Sequence, residues 1–203
     1  ADLGIVAARS AAAYPTLTEI VPTIDMSVNN TDLVAGVEAN IEQLGEIFGV
    51  QDRAAELIAD LDAKIAEATA AAEGQGTGLV LVTNAGNLGV YGPDSRVAWI
   101  YNELSIPSVM DEVEDGDHGG DGVSFEFLLE ANPDWLFVVD RDAGVGNEGA
   151  ARALLDNELM HQTTAWQEDQ IIYLDPQAAY ITMHGYTGLM TMLDQVIAGY
   201  TAE

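Results

Sequence analysis

Pro133-Asp134-Trp135-Leu136-Phe137-Val138-Val139-Asp140-Arg141-Asp142 is an apolar run that opens at a Pro-Asp turn and ends abruptly in charge. A continuous run, rather than apolar–polar alternation, is what a parallel strand covered on both faces requires, and Trp, Phe and Val suit a pleated surface. The stretch predicts a buried central strand with Arg141 at its carboxyl end. Open α/β sheets bind ligands at the carboxyl ends of their strands, where a guanidinium can face an anion. Asp2-Leu3-Gly4-Ile5-Val6-Ala7-Ala8-Arg9 repeats the pattern, with an Asp, an apolar run and an Arg at the same offset as from Asp134 to Arg141. Two strands that each end in Arg predict two related lobes.

Outward from the central run, residues 123–132 read as a helix capped by Ser124. The first copy of the pattern has no such helix before it, so the 203 residues are expected to be the C-terminal part of a longer protein, beginning just before Asp2. After Arg9 the chain predicts a short helix over 11–20 and a short strand over 23–28. Asn30 or Thr31 is placed to cap a helix running to Phe48, Gly49 closes it, and a second helix over 51–73 carries Ala54, Leu57, Ile58, Leu61, Ile65 and Ala66 at helical spacing. This Ala-rich helix is long enough to link two lobes rigidly.

Strands over 79–83 and 88–91 form a predicted hairpin around Asn84-Ala85-Gly86-Asn87. Pro93-Asp94-Ser95 starts a predicted helix with Arg96 in its first turn, and residues 111–122 have the composition of an exposed loop. Beyond the central strand follow a Gly-rich loop, a helix over 148–159, a turn with Trp166, a strand over 171–174, a loop bearing Tyr180 and a last helix over 186–200. Strand and helix in alternation predict an α/β lobe.

Composition limits the function. The net charge is −28, from 34 acidic and 6 basic residues, which sets nucleic acid and anionic membrane surfaces aside as general partners. Lys64 is the only lysine, and so acidic a surface is also a lever used by halophiles, pointing to a salt-loving source. The absence of cysteine excludes disulfides and thiolate metal sites.

Gly144-Val145-Gly146-Asn147-Glu148-Gly149 fits a dinucleotide-type G-x-G-x-x-G and follows a strand. It is displaced from the strand end, places Glu148 beside the would-be pyrophosphate, and is not the first strand–helix unit of its lobe, so a flexible loop is the favoured reading. His118, in a loop with Asp115, Asp117 and Asp121, reads either as a metal site or as a solvated acidic loop, and the latter needs less. Three of the six basic residues, Arg9, Arg96 and Arg141, fall at strand ends or loop–helix junctions. Each either neutralises nearby carboxylates or converges with the others on an anion site, and spacing does not choose between the two.

Several segments taken together carry a resemblance: Asp2 to Arg9 with Ser10, Tyr91 to Arg96, His118-Gly119 followed by Val123 to Glu126, Pro133 to Asp142, Ala153 to Glu158, and Tyr173 to Pro176 with Tyr180. In this order they resemble the periplasmic substrate-binding proteins of ABC importers for ferric catecholate siderophores, over the whole chain. The resemblance implies an α/β, two-lobed binding protein with a long inter-lobe helix, its N-terminal lobe largely missing. Residues 1–29 would be the remnant of that lobe, 30–73 the linking helices and 74–203 the C-terminal lobe. It implies no enzymatic activity and no intrinsic cofactor. The ligand is the Fe(III)-siderophore, the partner an inner-membrane ABC permease, and the location periplasmic, with the signal peptide outside this chain.

By the same resemblance, Arg9, Arg96 and Arg141 surround the anionic catecholate complex, and His118 and Tyr180 bind its Fe(III). Arginines donate to catecholate oxygens and stack on the rings, while imidazole and phenolate suit the open iron positions of a bis-catecholate. Glu126 would meet permease arginines, although an exposed helix glutamate needs no such role. Met183-His184-Gly185 departs from the family pattern and makes His184 a reserve ligand. Two alternatives stay open: an α/β enzyme that binds a nucleotide through the Gly144 to Gly149 loop, and the same fold binding haem or a cobalamin.

Overall fold

The computed structural model describes residues 1–110 and 121–202. The chain begins with strand β1 (Gly4–Val6), a 3-10 segment (Ala8–Ala13) containing Arg9, helix α1 (Tyr14–Thr18) and strand β2 (Thr23–Asp25). β1 and β2 pair in parallel as a sheet of their own, with Ile5 opposite Ile24. The expected strand over 23–28 is shorter because Asp25 turns the chain, its carboxylate accepting from both the amide and the hydroxyl of Ser27.

Helices α2 (Leu33–Phe48) and α3 (Gln51–Ala72) follow. The cap before them is Asn29 rather than Asn30 or Thr31: its Oδ1 accepts from the Thr31 amide at 3.2 Å and starts a 3-10 turn over Asn30–Asp32. Gly49 ends α2 at φ 67°, a left-handed conformation that glycine adopts without Cβ strain. Ala54, Leu61, Ala68 and Ala72 are the buried positions of α3, spaced to face one side.

The main sheet contains β3 (Gly78–Asn84), β4 (Asn87–Tyr91), β5 (Asp121–Val123), β6 (Trp135–Asp140) and β7 (Ile171–Tyr173), in the order β5-β4-β3-β6-β7. β6, the stretch read as central, lies between β3 and β7 and is parallel to both. β3 and β4 form the expected antiparallel hairpin, turning at Ala85 and Gly86, both with positive φ. Asp121 and Gly122, assigned to an exposed loop from sequence, are instead part of β5, an edge strand that pairs antiparallel with β4, with Asp121 opposite Val90 and Gly122 opposite Gly89.

Around the sheet lie α4 (Trp99–Asn102), α5 (Phe125–Ala131), α6 (Arg141–Gly144), α7 (Ala151–Leu155), α8 (Thr164–Gln167), α9 (Pro176–Tyr180) and α10 (Tyr186–Thr201). Successive strand residues enter opposite cores. Val80, Val82, Phe137 and Val139 pack with residues of α2, α3 and α10, such as Val37, Leu61 and Leu193. Leu79, Leu81, Leu136 and Val138 pack with Leu128 of α5, Leu155 of α7 and Ala165 of α8. Burial on both faces is why β3 and β6 are apolar from Leu79 to Val82 and from Trp135 to Val139. Among the described residues no helix is long and apolar enough to cross a membrane.

Three further expectations change. Arg96 lies in a series of tight turns before α4, where Ser95 donates to the Gly92 carbonyl and Ala98 to that of Ser95, so it is not in a helix first turn. The helix expected over 148–159 is confined to α7, because the Ala151 amide is held by Asp140 and the Asn157 side chain bonds its own neighbourhood at Leu154, Leu159 and Met160. Tyr180 is not on a loop. It ends α9, a helix started by Pro176 and capped by Asp175, whose Oδ1 accepts from the Ala178 amide at 2.7 Å.

Candidate functional site: two arginines on one buried tyrosine

The site lies where β3 and β6 end. Trp135 to Val139 bury their side chains, so the chain leaves the sheet only at Asp140. Asp140 caps α6, its Oδ1 accepting from the Ala143 amide at 3.1 Å, and Arg141 becomes the first residue of that helix. α6 packs on α9 closely enough that a Cβ on Gly144 would lie 2.6 Å from the Pro176 carbonyl oxygen. This contact sets Tyr180, 3% exposed, beside Arg141.

Arg141 donates from Nε to the Tyr180 hydroxyl at 2.8 Å and from one terminal nitrogen to Asn84 Oδ1 at 2.8 Å. Arg96 reaches the same tyrosine from the turns before α4. It donates to the Tyr180 carbonyl at 2.9 Å and to the Met183 thioether at 3.2 and 3.4 Å. Both guanidinium carbons lie over the Tyr180 ring, at 4.5 Å for Arg96 and 5.3 Å for Arg141.

Burial alone would push the Tyr180 phenol up. The Arg141 hydrogen bond and the charges of Arg141, Arg96 and Arg9 outweigh it and hold the phenol below its usual range. Arg9 is exposed in its 3-10 segment, and its field reaches Tyr180 from the β1–β2 side. The charges that lower the Tyr180 phenol thus come from residues as far as 171 positions away in the chain. Among the described residues none of the three arginines forms an ion pair, whereas Arg53 pairs with Glu56 and Lys64 with Glu67 and Asp194.

His118 lies outside the described residues. His184 borders the site, donating from Nε2 to Asn30 Oδ1 at 2.9 Å, and its burial and the Arg96 charge hold its pKa down, which favours the neutral imidazole. Glu126 is exposed in the first turn of α5, with its carboxyl lowered by a bond to its own amide and by the Ser124 side chain. In the Gly144 to Gly149 segment the amides of Val145, Gly146 and Asn147 already donate to the carbonyls of Arg141, Ala143 and Asp142, and the Asp140 carboxylate lies against it, accepting from Ala143 and Ala151. A Cβ at Gly149 would lie 2.6 Å from the same carboxylate.

Asn84 and Met183 were not singled out as binding-site residues from sequence. Asn84 has a signal in retrospect, as the polar residue that ends an otherwise apolar strand beside the one carrying Arg141.

The fold matches a known family. The periplasmic binding protein family model aligns with residues 2–178. This chain belongs to the periplasmic binding protein family. Periplasmic binding proteins similar to it include the petrobactin-binding protein YclQ of Bacillus subtilis, 29% identical over 98% of this chain and 62% of the relative. The solved structure of YclQ superposes with a TM-score of 0.93 at 28% identity, covering 100% of this chain and 71% of that one. The ferric-anguibactin-binding protein FatB of Vibrio anguillarum is 33% identical over 98% of this chain and 63% of its own length. The siderophore-binding protein BauB, solved with two acinetobactin molecules and ferric iron, is 29% identical with a TM-score of 0.88, covering 100% of this chain and 72% of that one. The chain thus spans under two thirds of the curated periplasmic binding proteins it matches.

Proposed function

We propose that this chain is part of the solute-binding component of an ABC importer, which captures a ferric catecholate siderophore in the periplasm and delivers it to an inner-membrane permease. The observation that carries the proposal is the pair Arg96 and Arg141, neither with a carboxylate partner among the described residues, closing on the Tyr180 ring in a chain of net charge −28. Two unneutralised guanidiniums in so acidic a protein form a local anion site, and a ferric catecholate is a compact, flat-faced anion. The relatives' names for petrobactin, ferric anguibactin and a ferric acinetobactin complex point the same way.

In this reading Arg9, Arg96 and Arg141 receive catecholate oxygens, and Tyr180 supplies a phenolate to iron where the siderophore leaves positions open. His118 is the partner ligand and His184 the reserve. Glu126 faces the permease. The iron complex is cargo, and the work is binding and delivery rather than catalysis. Residues 1–29 belong to one lobe, 30–73 link the lobes and 74–203 form the other lobe. The separate β1–β2 sheet and the exposed apolar side chains Ile5, Ile20 and Phe48 around it and α2 support that division.

Titration with a ferric catecholate, followed by quenching of Trp99, Trp135 and Trp166 fluorescence, tests the proposal. Saturable quenching at micromolar or lower concentration supports it. Tight nucleotide binding with no quenching by any ferric catecholate sinks it.

A further inference from the structure

Resting on this reading, we infer that Asn84 is the positioning residue of the site: its neutral amide turns Arg141 onto Tyr180 without cancelling the charge that an anionic ligand needs. The placement follows from the sheet. In the parallel pairing of β3 with β6, Thr83 stands opposite Asp140, so the next residues along the two strands are Asn84 and Arg141. Asn84 is half-buried there and accepts one terminal N–H of Arg141, while Nε–H goes to Tyr180. Two bonds from different edges of a planar guanidinium fix its plane and leave its remaining donors for a ligand.

Among the described residues, the two carboxylates nearest Arg141 in sequence are directed elsewhere. Asp140 and Asp142 flank Arg141 in sequence and are the obvious counter-ions. Asp140 spends both oxygens on the amides of Ala143 and Ala151, and Asp142 Oδ2 accepts from the Ala85 amide at 2.6 Å. The last of these bonds also fixes the hairpin turn that begins at Asn84. Arg96 is treated alike, held by a carbonyl oxygen and a thioether. With 34 acidic against 6 basic residues, neutral acceptors at both arginines are a feature that the composition opposes. A carboxylate at position 84 would hold Arg141 equally well and offset its charge.

The test uses arginine side-chain NMR on the ligand-free chain. There are five arginines, so five Nε–H signals, and loss of one in Arg141→Lys assigns it. In Asn84→Ala the solvent exchange of the Arg141 Nε–H should accelerate by about tenfold or more while backbone amides of β3 and β6 stay protected. Asn84→Asp should restore slow exchange yet weaken binding of a ferric tris-catecholamide by about tenfold or more. Unchanged Nε–H exchange in Asn84→Ala overturns the positioning role. Wild-type affinity in Asn84→Asp overturns the role of neutrality. If the wild-type chain binds no ferric catecholate, the proposed function fails and the neutrality claim with it, whereas the exchange result still decides whether Asn84 positions Arg141.

Discussion

Arg141 and Tyr180, 39 residues apart in the chain, are joined by a 2.8 Å hydrogen bond from Nε to the phenolic oxygen at the mouth of two parallel strands. The bond makes the phenol a better anion and the guanidinium a fixed donor at once. Arg96, its guanidinium carbon 4.5 Å from the ring centroid, adds a second positive charge that no carboxylate offsets among the described residues.

Removing either cation is therefore expected to act on ligand affinity more than on folding. Arg96→Ala and Arg141→Ala should each weaken a ferric tris-catecholate by about 1.5–3 kcal/mol, the range of a charge-assisted hydrogen bond, or roughly ten- to a hundredfold. Fluorescence titration at two ionic strengths measures this. Wild-type affinity in both variants would count against the arginines as ligand contacts.

Tyr180→Phe separates iron ligation from packing. A bis-catecholate should lose the tyrosinate-to-iron absorption, whereas a tris-catecholate, with its iron saturated, should bind with little change. Because the folded phenol is held below its usual range, any stability it contributes as phenolate is present above the unfolded value of about 10 and is lost as pH falls through the lowered folded value. Ligation also displaces the phenol proton, so bis-catecholate affinity should rise with pH up to that value. Equal loss for both ligands in Tyr180→Phe would refute direct ligation.

Gly144→Ala tests the contact that places the tyrosine. The added Cβ would fall 2.6 Å from the Pro176 carbonyl and 3.0 Å from Tyr180 Cβ, so α9 must move away from α6. Overpacking of this kind costs about 1–3 kcal/mol. Denaturant unfolding should show the loss, with weaker ferric-catecholate binding beside it, and an unchanged midpoint would show that α9 yields freely.

Mild acid should stabilise the chain. Burial, a hydrogen bond to Asp62 and the charges of Asp62, Glu103 and Glu42 raise the Glu38 carboxyl, and burial with Asp32 raises Glu103. Groups whose folded values are raised take up protons in the folded state first, so their contribution grows as pH falls from neutral through the folded values and is complete below the unfolded value near 4.5. Glu38→Gln should raise stability at pH 7 by roughly 0.5 kcal/mol, the scale of a like-charge contact on a helix surface, and flatten the pH dependence. Thermal melts between neutral pH and the unfolded value are the measurement.

Much of this fold is legible in the residue order. The apolar run 135–139 announces a parallel strand buried on both faces, 79–83 and 88–91 announce a hairpin turned at Ala85-Gly86, Gly49 ends a helix and Ser124 caps another. Short elements are where local pattern loses to tertiary bonds. Arg96 lies among tight turns closed by bonds to the Gly92 and Ser95 carbonyls, and α7 is cut to a few residues because side chains of Asp140 and Asn157 claim backbone groups that helix periodicity alone would assign to a helix. Tyr180 reads as a loop residue because a helix of five residues has too little periodicity to register.

The sequence by itself determined the two strands that lead into Arg9 and Arg141, the burial of β6, and the scarcity of positive charge that makes each arginine informative. It did not determine whether those arginines meet carboxylates or one another. The tertiary structure decided that, because Asp140 and Asp142 can turn to backbone amides only once α6 and the β3–β4 turn lie beside them, leaving Arg141 to Asn84 and Tyr180.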